Sequence, residues 1–160
     1  MRLSGKRALL IGAATGIGRS TANDFAHEGA RIVIADINFA EAERTAASIR
    51  ASGGQARAVA CDVCDELSVQ QVVEDAEKSL GGLDTLVFLA GLQRIGHIEA
   101  FDSQTWDALF HVNVRGTFFA IKYASPSVVS HVNMLWPNFS QWPDFSQSPR
   151  SMIWGALTST

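Results

Sequence analysis

Short apolar runs recur along the first part of the chain, and each is bounded by turn-forming or charged residues. Runs that are continuously apolar and rich in β-branched residues are typical of strands buried on both faces of a sheet. The sequence predicts four such strands, at residues 8–11, 32–35, 56–61 and 86–89.

Two of the other stretches carry apolar residues at the spacing of one helix face. The first face ends at Gly81-Gly82, a pair typical of a helix C-terminus, and consists of Val69, Val72, Val73, Ala76 and Leu80. The second face is expected to point inward and consists of Trp106, Leu109, Phe110, Thr117 and Ile121. Asp102 is the predicted N-cap of this helix. Because strand and helix signals alternate, the pattern predicts an α/β fold, a doubly wound parallel sheet with helices on both faces.

The composition changes near residue 124. Of the 13 basic and 16 acidic residues, all but Arg150 and Asp144 precede that point, whereas all 4 prolines and three of the 4 tryptophans lie within about 36 residues of the end. A six-residue repeat begins at Asn138 and again at Asp144, but two copies are too few for a stacked repeat fold. We therefore predict a folded region at 1–124 and an atypical Pro-, Ser- and Trp-rich tail at 125–160.

Charge and hydropathy exclude several classes of function. A formal net charge of -3 provides no basic surface for nucleic acid. No apolar run reaches the roughly 18 residues of a membrane span, and residues 1–6 lack a hydrophobic signal core. We expect a cytoplasmic location, with neither a nucleic acid nor a membrane as partner. Cys61 and Cys64 have the spacing of redox or zinc motifs, but without further ligands nearby we predict no metal site.

Candidate chemistry begins after the first predicted strand, where Gly12, Gly16 and Gly18 lead into a helix. Glycines allow a tight turn and close approach of a ligand, while the helix N-terminus offers N–H groups to a pyrophosphate. The second strand ends at Asp36, whose carboxylate can accept both ribose hydroxyls of NAD and would repel the 2′-phosphate of NADP. The arrangement favours an NAD site; the alternative is a structural glycine turn beside a solvated aspartate.

Together these motifs resemble those of the short-chain dehydrogenase/reductase family over about residues 3–124. Asp62-Val63 matches the place where the family holds the adenine ring. Ala90-Gly91 matches the end of the family's Asn-Asn-Ala-Gly motif, with Phe88-Leu89 in place of the asparagines. The resemblance implies a Rossmann-like sheet, incomplete in its C-terminal half, that binds NAD in preference to NADP. It places the cofactor at Gly12, Ala14, Thr15, Gly16, Ile17, Gly18, Asp36, Ile37, Asp62, Val63, Ala90 and Gly91.

Asn113 is the candidate for a catalytic residue. It lies four positions after Leu109 and four before Thr117, so its side-chain amide is predicted to point inward. A buried amide needs hydrogen-bond partners. On spacing alone it is either a structural asparagine or a site residue. The segment 111–116 resembles the family's active-site motif, and the resemblance implies that the Asn113 backbone carbonyl holds a proton-relaying water.

The rest of the family's catalytic set is missing from these residues. The resemblance implies hydride transfer between nicotinamide and an alcohol or ketone, with a serine and a Tyr-x-x-x-Lys pair. Tyr123 is the one tyrosine, but Ser127 stands at the lysine position and no lysine follows Lys122. We therefore expect Tyr123 to be a packing residue. Val132-Asn133 resembles the family's fifth strand.

The leading hypothesis is an NAD(P)-binding oxidoreductase of this family, shortened near residue 124 and inactive as written. One alternative is a non-catalytic NAD sensor or interaction protein. The helix at 102–124 forms a subunit interface in many family members, which implies a homo-oligomer or association with a full-length relative. A second alternative is a truncated product without function, its fourth strand left as an exposed edge.

Overall fold

The structure, a computed structural model, describes residues 1–128 and, beyond them, 132–133 and 152–153. The strands are β1 (Arg7–Ile11), β2 (Arg31–Asp36), β3 (Gln55–Ala60), β4 (Thr85–Phe88), β5 (Val132–Asn133) and β6 (Met152–Ile153). The α-helices are α1 (Gly16–His27), α2 (Phe39–Ala51), α3 (Glu66–Leu80), α4 (Ser103–Phe110) and α5 (Thr117–Val128). A 3-10 turn covers Ile98–Ala100, and a π-helix covers His111–Gly116.

The first four strands form one parallel sheet in the order β3-β2-β1-β4. In this sheet Leu9 of β1 is the register partner of both Val33 and Leu86. All four predicted strands are confirmed, each to within about one residue at either end. The helical crossovers between them confirm the predicted doubly wound fold.

Both faces of the sheet are covered, which explains why the strands are continuously apolar. Successive residues of a strand point to opposite faces. Leu9, Ile11 and Val33 pack against α3 and α5, whereas Leu10 and Ile34 pack against α1 and α2. In open α/β folds, ligands bind at the carboxyl edge of the sheet.

Helix α3 shows how the pattern determines an element. All five residues of its predicted inward face are buried in the core. Asp65 caps the N-terminus by accepting a hydrogen bond from Leu67 N, at 3.1 Å. Gly81 ends the helix with a φ of 75°, a left-handed conformation that favours glycine. The helix and its end are confirmed as predicted.

The inward face predicted for the helix at 102–124 is confirmed at Thr117 but is wrong at Trp106 and Phe110. Asp102 caps α4 as expected, accepting a 2.7 Å bond from Thr105 N. Trp106 and Phe110, however, are 49% and 46% exposed, and the buried face begins at Thr117. The π-helix at His111–Gly116 lies between these residues, and its wider turns shift Thr117 and later residues relative to Trp106 and Phe110, so the predicted residues do not share one face.

Helix α5 continues past the predicted boundary at residue 124 and ends at Val128. It contains Pro126, which cannot donate a backbone hydrogen bond to the Lys122 carbonyl. That carbonyl accepts the Ser125 hydroxyl instead, at 3.4 Å. The segment that resembles the family's fifth strand is indeed a strand, β5, but it pairs in parallel with β6 in a second sheet.

Most of the predicted tail lies outside the residues that the structure describes. Within the described part of the chain, no helix has the length and apolar character needed to cross a membrane.

An ion pair fastens the amino ends of β1 and β4. Arg7 donates from Nε and Nη2 to the two carboxylate oxygens of Asp84, at 2.9 and 2.8 Å. Both side chains are mostly buried. Hydrogen bonding from Arg7 lowers the pKa of the Asp84 carboxyl to about 2.

We expect Asp84→Asn to lower the free energy of unfolding at neutral pH by about 2 kcal/mol, because a charge-assisted pair is lost. Since the folded pKa of Asp84 lies below its unfolded value, this stabilisation is complete above about pH 4 and disappears as the pH falls towards about 2. Urea titrations between those pH values should therefore show a weaker pH dependence for the variant. Equal slopes for the two proteins would contradict the assignment.

Candidate functional site

Hydrogen bonds join the carboxyl ends of all four strands of the main sheet. Gly12 N donates to Ala35 O at 2.7 Å, and Ala90 N donates to Ile11 O at 3.1 Å. On the other side Cys61 N donates to Asp36 O at 3.0 Å. The segments that follow β1, β2, β3 and β4, which carry the predicted cofactor residues, therefore meet at one edge.

Two glycines, Gly12 in the loop after β1 and Gly18 in the first turn of α1, allow contacts that no other residue could make. Gly12 has a φ of 80°, and a Cβ there would lie 2.2 Å from Ala90 N. A Cβ on Gly18 would lie 2.2 Å from the Gly12 carbonyl oxygen. These glycines bring the loop against the chain after β4 and against the first turn of α1.

The N-terminus of α1 is open to a ligand. Thr15 occupies the N-cap without a side-chain hydrogen bond, and the first turn contains no acidic residue. By contrast, a side chain caps each of α2, α3 and α4. Gly16 has a φ of 54°, and nothing lies within 4 Å of the position of a Cβ there; Ile17 beside it is 67% exposed. The uncapped N–H groups and the vacant Cβ position fit an anionic group such as a pyrophosphate.

Asp36 stands at the end of β2 beside this helix terminus. Its Oδ2 accepts a hydrogen bond from Ala14 N and its Oδ1 accepts one from Asn38 N, each at 3.0 Å. Each carboxylate oxygen has two acceptor sites, so both remain able to accept a ribose hydroxyl. The two backbone donors fix the orientation of the carboxylate.

Thr45 of α2 is a residue of this site that the sequence reasoning missed. Its side chain is buried, and Oγ1 donates to the Ala14 carbonyl at 2.9 Å. The signal was a hydroxyl on the otherwise apolar helix face formed by Ala42, Ala46 and Ile49. A buried hydroxyl on such a face needs a partner, and the partner here is the glycine-rich loop.

The residues predicted on the adenine side, Asp62 and Val63, follow β3, and Ile37, predicted to contact the cofactor, follows β2. Ile37 is 74% exposed and follows Asp36 directly. Asp62 is held by two local contacts: its N donates to Ser68 Oγ and its Oδ1 accepts from Cys64 N. Val63 is buried against Gly116. Ile37 is therefore open to solvent, and local hydrogen bonds fix the orientation of Asp62.

Asn113 contacts the chain just after the Ala90-Gly91 pair. Its amide donates to Leu92 O at 2.9 Å and accepts from Leu92 N at 2.8 Å. The predicted inward position is wrong, because Asn113 lies in the π-helix and is exposed. The need of its amide for partners is met by Leu92. The structure thus places Asn113 next to Gly91, at the edge that carries the predicted cofactor residues.

The backbone carbonyl of Asn113 lies within the π-helix. It accepts the Thr117 hydroxyl at 2.8 Å, at the point where the π-helix meets α5. Wide turns of this kind occur frequently at functional sites. The carbonyl that the resemblance assigns to a water therefore already accepts one side-chain hydroxyl.

Tyr123 occupies a structural position. Its hydroxyl donates to Glu66 Oε1 at 2.8 Å, and Lys122 Nζ donates to the same oxygen at 2.7 Å. Hydrogen bonding by Lys122 and then Tyr123 lowers the pKa of the Glu66 carboxyl. The Tyr123 ring is partly buried against the core between α3 and α5, which confirms its expected packing role.

The two cysteines differ in surroundings. Cys61 is buried, and desolvation raises the pKa of its thiol to about 11. Cys64 is exposed, and its pKa is also raised, first by desolvation. Both thiols are therefore protonated and weakly nucleophilic at neutral pH. Over the described residues no group of at least three His, Cys, Asp or Glu side chains could hold a metal.

Comparison with known proteins adds to this geometry. A family model described as short chain dehydrogenase matches residues 6–133. A 2,5-dichloro-2,5-cyclohexadiene-1,4-diol dehydrogenase of Sphingobium indicum is 39% identical over 132 residues, which cover 82% of this chain and 53% of the relative. A D-threitol dehydrogenase of Mycolicibacterium smegmatis is 42% identical over 117 residues, covering 73% and 45% respectively. The chain spans about half the length of the curated relatives it matches.

Solved structures agree with the fold. A short chain dehydrogenase from Burkholderia cenocepacia, crystallised in complex with NADP, superposes with a TM-score of 0.76 at 36% identity, over 80% of this chain and 53% of that one. A dehydrogenase/reductase from Sinorhizobium meliloti has a TM-score of 0.76 at 34% identity, over 79% and 50%. Relative to these structures the doubly wound sheet is incomplete, as the sequence predicted.

Proposed function

Because the chain belongs to the short-chain dehydrogenase family, we propose that it binds a nicotinamide dinucleotide, with NAD preferred over NADP, along the carboxyl edge of its sheet. The observation that carries this proposal is the uncapped N-terminus of α1 beside the oriented carboxylate of Asp36. One group suits a pyrophosphate and the other suits two ribose hydroxyls.

Each part of the edge has one task in this proposal. The backbone of Thr15, Gly16, Ile17 and Gly18 would hold the pyrophosphate, and Asp36 would accept the adenosine ribose hydroxyls. Ile37, Asp62 and Val63 would enclose the adenine, while Ala90 and Gly91 would border the cofactor on the β4 side. When bound, the nicotinamide would supply the hydride acceptor of the family's chemistry.

Without further residues, the 160-residue chain binds the cofactor but does not turn over substrate. Tyr123 is bound to Glu66, and no Tyr-x-x-x-Lys pair or matching serine occurs in the sequence. Asn113 alone cannot replace a general acid. D-threitol is the first substrate to try, since a relative is named for it. Steady-state oxidation of D-threitol by the purified chain, abolished by Gly16→Val, would contradict the proposal that the chain is inactive.

The cytoplasmic location of the chain remains a prediction.

Calorimetric titration of the chain with NADH and NADPH tests the cofactor proposal. We expect saturable NADH binding and much weaker NADPH binding. Asp36→Asn keeps an acceptor but removes the charge that repels the 2′-phosphate, so NADPH should bind about tenfold more tightly than to the wild type. Asp24→Asn, which changes the same charge on the exposed part of α1, is the matched control.

Absence of NADH binding by a folded wild-type chain would refute the proposed function. If Asp24→Asn raised NADPH affinity as much as Asp36→Asn, general charge would explain the preference and Asp36 would lose its role. The Burkholderia relative was crystallised with NADP, so a preference for NAD has to come from residues of this chain.

An exposed apolar row favours self-association as a second property. Trp106, Phe110, Val114 and Phe118 are each between 46% and 58% exposed, and they follow one another at four-residue steps from α4 to α5. The Trp106 and Phe110 ring centroids lie 4.6 Å apart. A continuous apolar row on a helix is typical of an interface. We assign it to a second copy of this chain.

Sedimentation equilibrium tests the association. Phe118→Asp should weaken the dimer at least about tenfold, because a charge would be buried in the interface. Ile95→Asp is the control, since Ile95 is 92% exposed in the loop after β4. A wild-type chain that stays monomeric at micromolar concentration would contradict the proposal.

A further inference from the structure

The Thr45 hydroxyl is tied to the glycine-rich loop and not to its own helix. Thr45 is 4% exposed and is one of two polar residues that are buried in the described part of the chain. In helices a threonine hydroxyl usually bonds a carbonyl of the preceding turn. Here it reaches from α2 to the Ala14 carbonyl, 31 residues earlier, at 2.9 Å.

Ala14 is therefore held at both ends of its backbone. Its C=O accepts from Thr45, and its N–H donates to Asp36 Oδ2 at 3.0 Å. The other carboxylate oxygen of Asp36 accepts from Asn38 N, while Asn38 Oδ1 caps α2 by accepting from Glu41 N at 3.2 Å. The first half of α2 thus anchors both the loop and the carboxylate.

We propose that Thr45 is a positioning residue for the dinucleotide site, which acts through Ala14 to hold the Asp36 carboxylate where it can accept the cofactor's ribose hydroxyls. This inference rests on the proposed function. Without the Thr45 hydroxyl, the buried Ala14 carbonyl has no partner and its flanking peptides can rotate towards one. Rotation moves the Ala14 N–H away from Asp36, so one of the two donors that orient the carboxylate is lost.

The two cofactors should respond differently to this loss. NADH gains from both ribose hydroxyls at Asp36, whereas NADPH carries a phosphate there and gains less from the orientation of the carboxylate. Thr45→Val preserves shape and removes the hydroxyl, so NADH should bind about tenfold more weakly and NADPH less than about threefold more weakly. A purely structural role for Thr45 would not change this ratio.

The experiment uses the full chain in four forms: wild type, Thr45→Val, Thr45→Ser and Ile49→Val. Serine keeps the hydroxyl and should restore the NADH to NADPH affinity ratio. Ile49→Val removes a buried methyl group from the same face of α2 and controls for lost stability. Calorimetry measures both affinities. Amide hydrogen exchange at Ala14, in the chain without cofactor, should become at least about fivefold faster in Thr45→Val alone.

The outcomes separate this inference from the proposed function. If the wild type fails to bind NADH, the proposed function is wrong, and the Ala14 exchange rates still decide whether Thr45 positions the loop. If the wild type binds, an unchanged affinity ratio in Thr45→Val refutes the inference. So does a Thr45→Ser variant as weak as Thr45→Val, or an Ile49→Val variant with the same altered ratio.

Discussion

Gly18→Ala should cost the chain about 3 kcal/mol or more of its free energy of unfolding. The new Cβ would lie 2.2 Å from the Gly12 carbonyl oxygen and 2.5 Å from Ala13 Cα. Because both are backbone atoms, no side-chain rotation relieves the overlap, and either α1 or the loop must move. That movement would also displace α1 from the end of β1, the strand that it follows. Urea denaturation followed by far-UV circular dichroism measures the change.

Gly91→Ala is the matched control for this prediction. Its φ is not in the left-handed region, and the nearest atom to a new Cβ would be Asn113 Oδ1 at 3.6 Å, an ordinary contact. We expect its free energy of unfolding to stay within about 0.5 kcal/mol of the wild type. If Gly18→Ala unfolded at the wild-type urea midpoint, the close approach of α1 to the loop would be wrong.

The fold was predictable where one physical requirement determines the residues. Strands covered on both faces must be apolar throughout, so β1 to β4 were visible as runs. Helix α3 lies against the core along its whole length and ends at a left-handed glycine, so its period and its end were both visible. The π-helix has no such signal. It lies between α4 and α5 and shifts Thr117 relative to Trp106, so these two residues do not share one buried face.

The site was predictable in the same uneven way. Gly12, Gly18 and Asp36 stand out because close backbone approach requires glycine and a ribose hydroxyl suits a carboxylate. Thr45 was not predicted as a site residue. A single threonine among the alanines of α2 has the same spacing in the sequence whether or not its hydroxyl has a hydrogen-bond partner elsewhere in the fold. The contact of Asn113 with Leu92 bridges 21 residues, and only the tertiary structure reveals it.

Gly16→Ala should leave the fold intact and remove cofactor binding. Nothing lies within 4 Å of the position of its Cβ, so the methyl group meets no protein atom. A φ of 54° adds about 1 kcal/mol of backbone strain. The methyl group would occupy the space above the uncapped N–H groups of α1, where the pyrophosphate must approach the backbone. NADH affinity should fall at least about 100-fold.

Gly53→Ala separates this steric effect from backbone strain. Gly53 has a φ of 84° and nothing within 4 Å of its Cβ position, but it lies in the turn between α2 and β3, at the opposite edge of the sheet. Both variants should lose similar stability in urea, whereas Gly53→Ala should retain wild-type NADH affinity in the calorimeter. Wild-type affinity in Gly16→Ala would mean that no ligand approaches α1 there. Equal loss of affinity in both variants would mean that strain, and not the blocked approach, weakens binding.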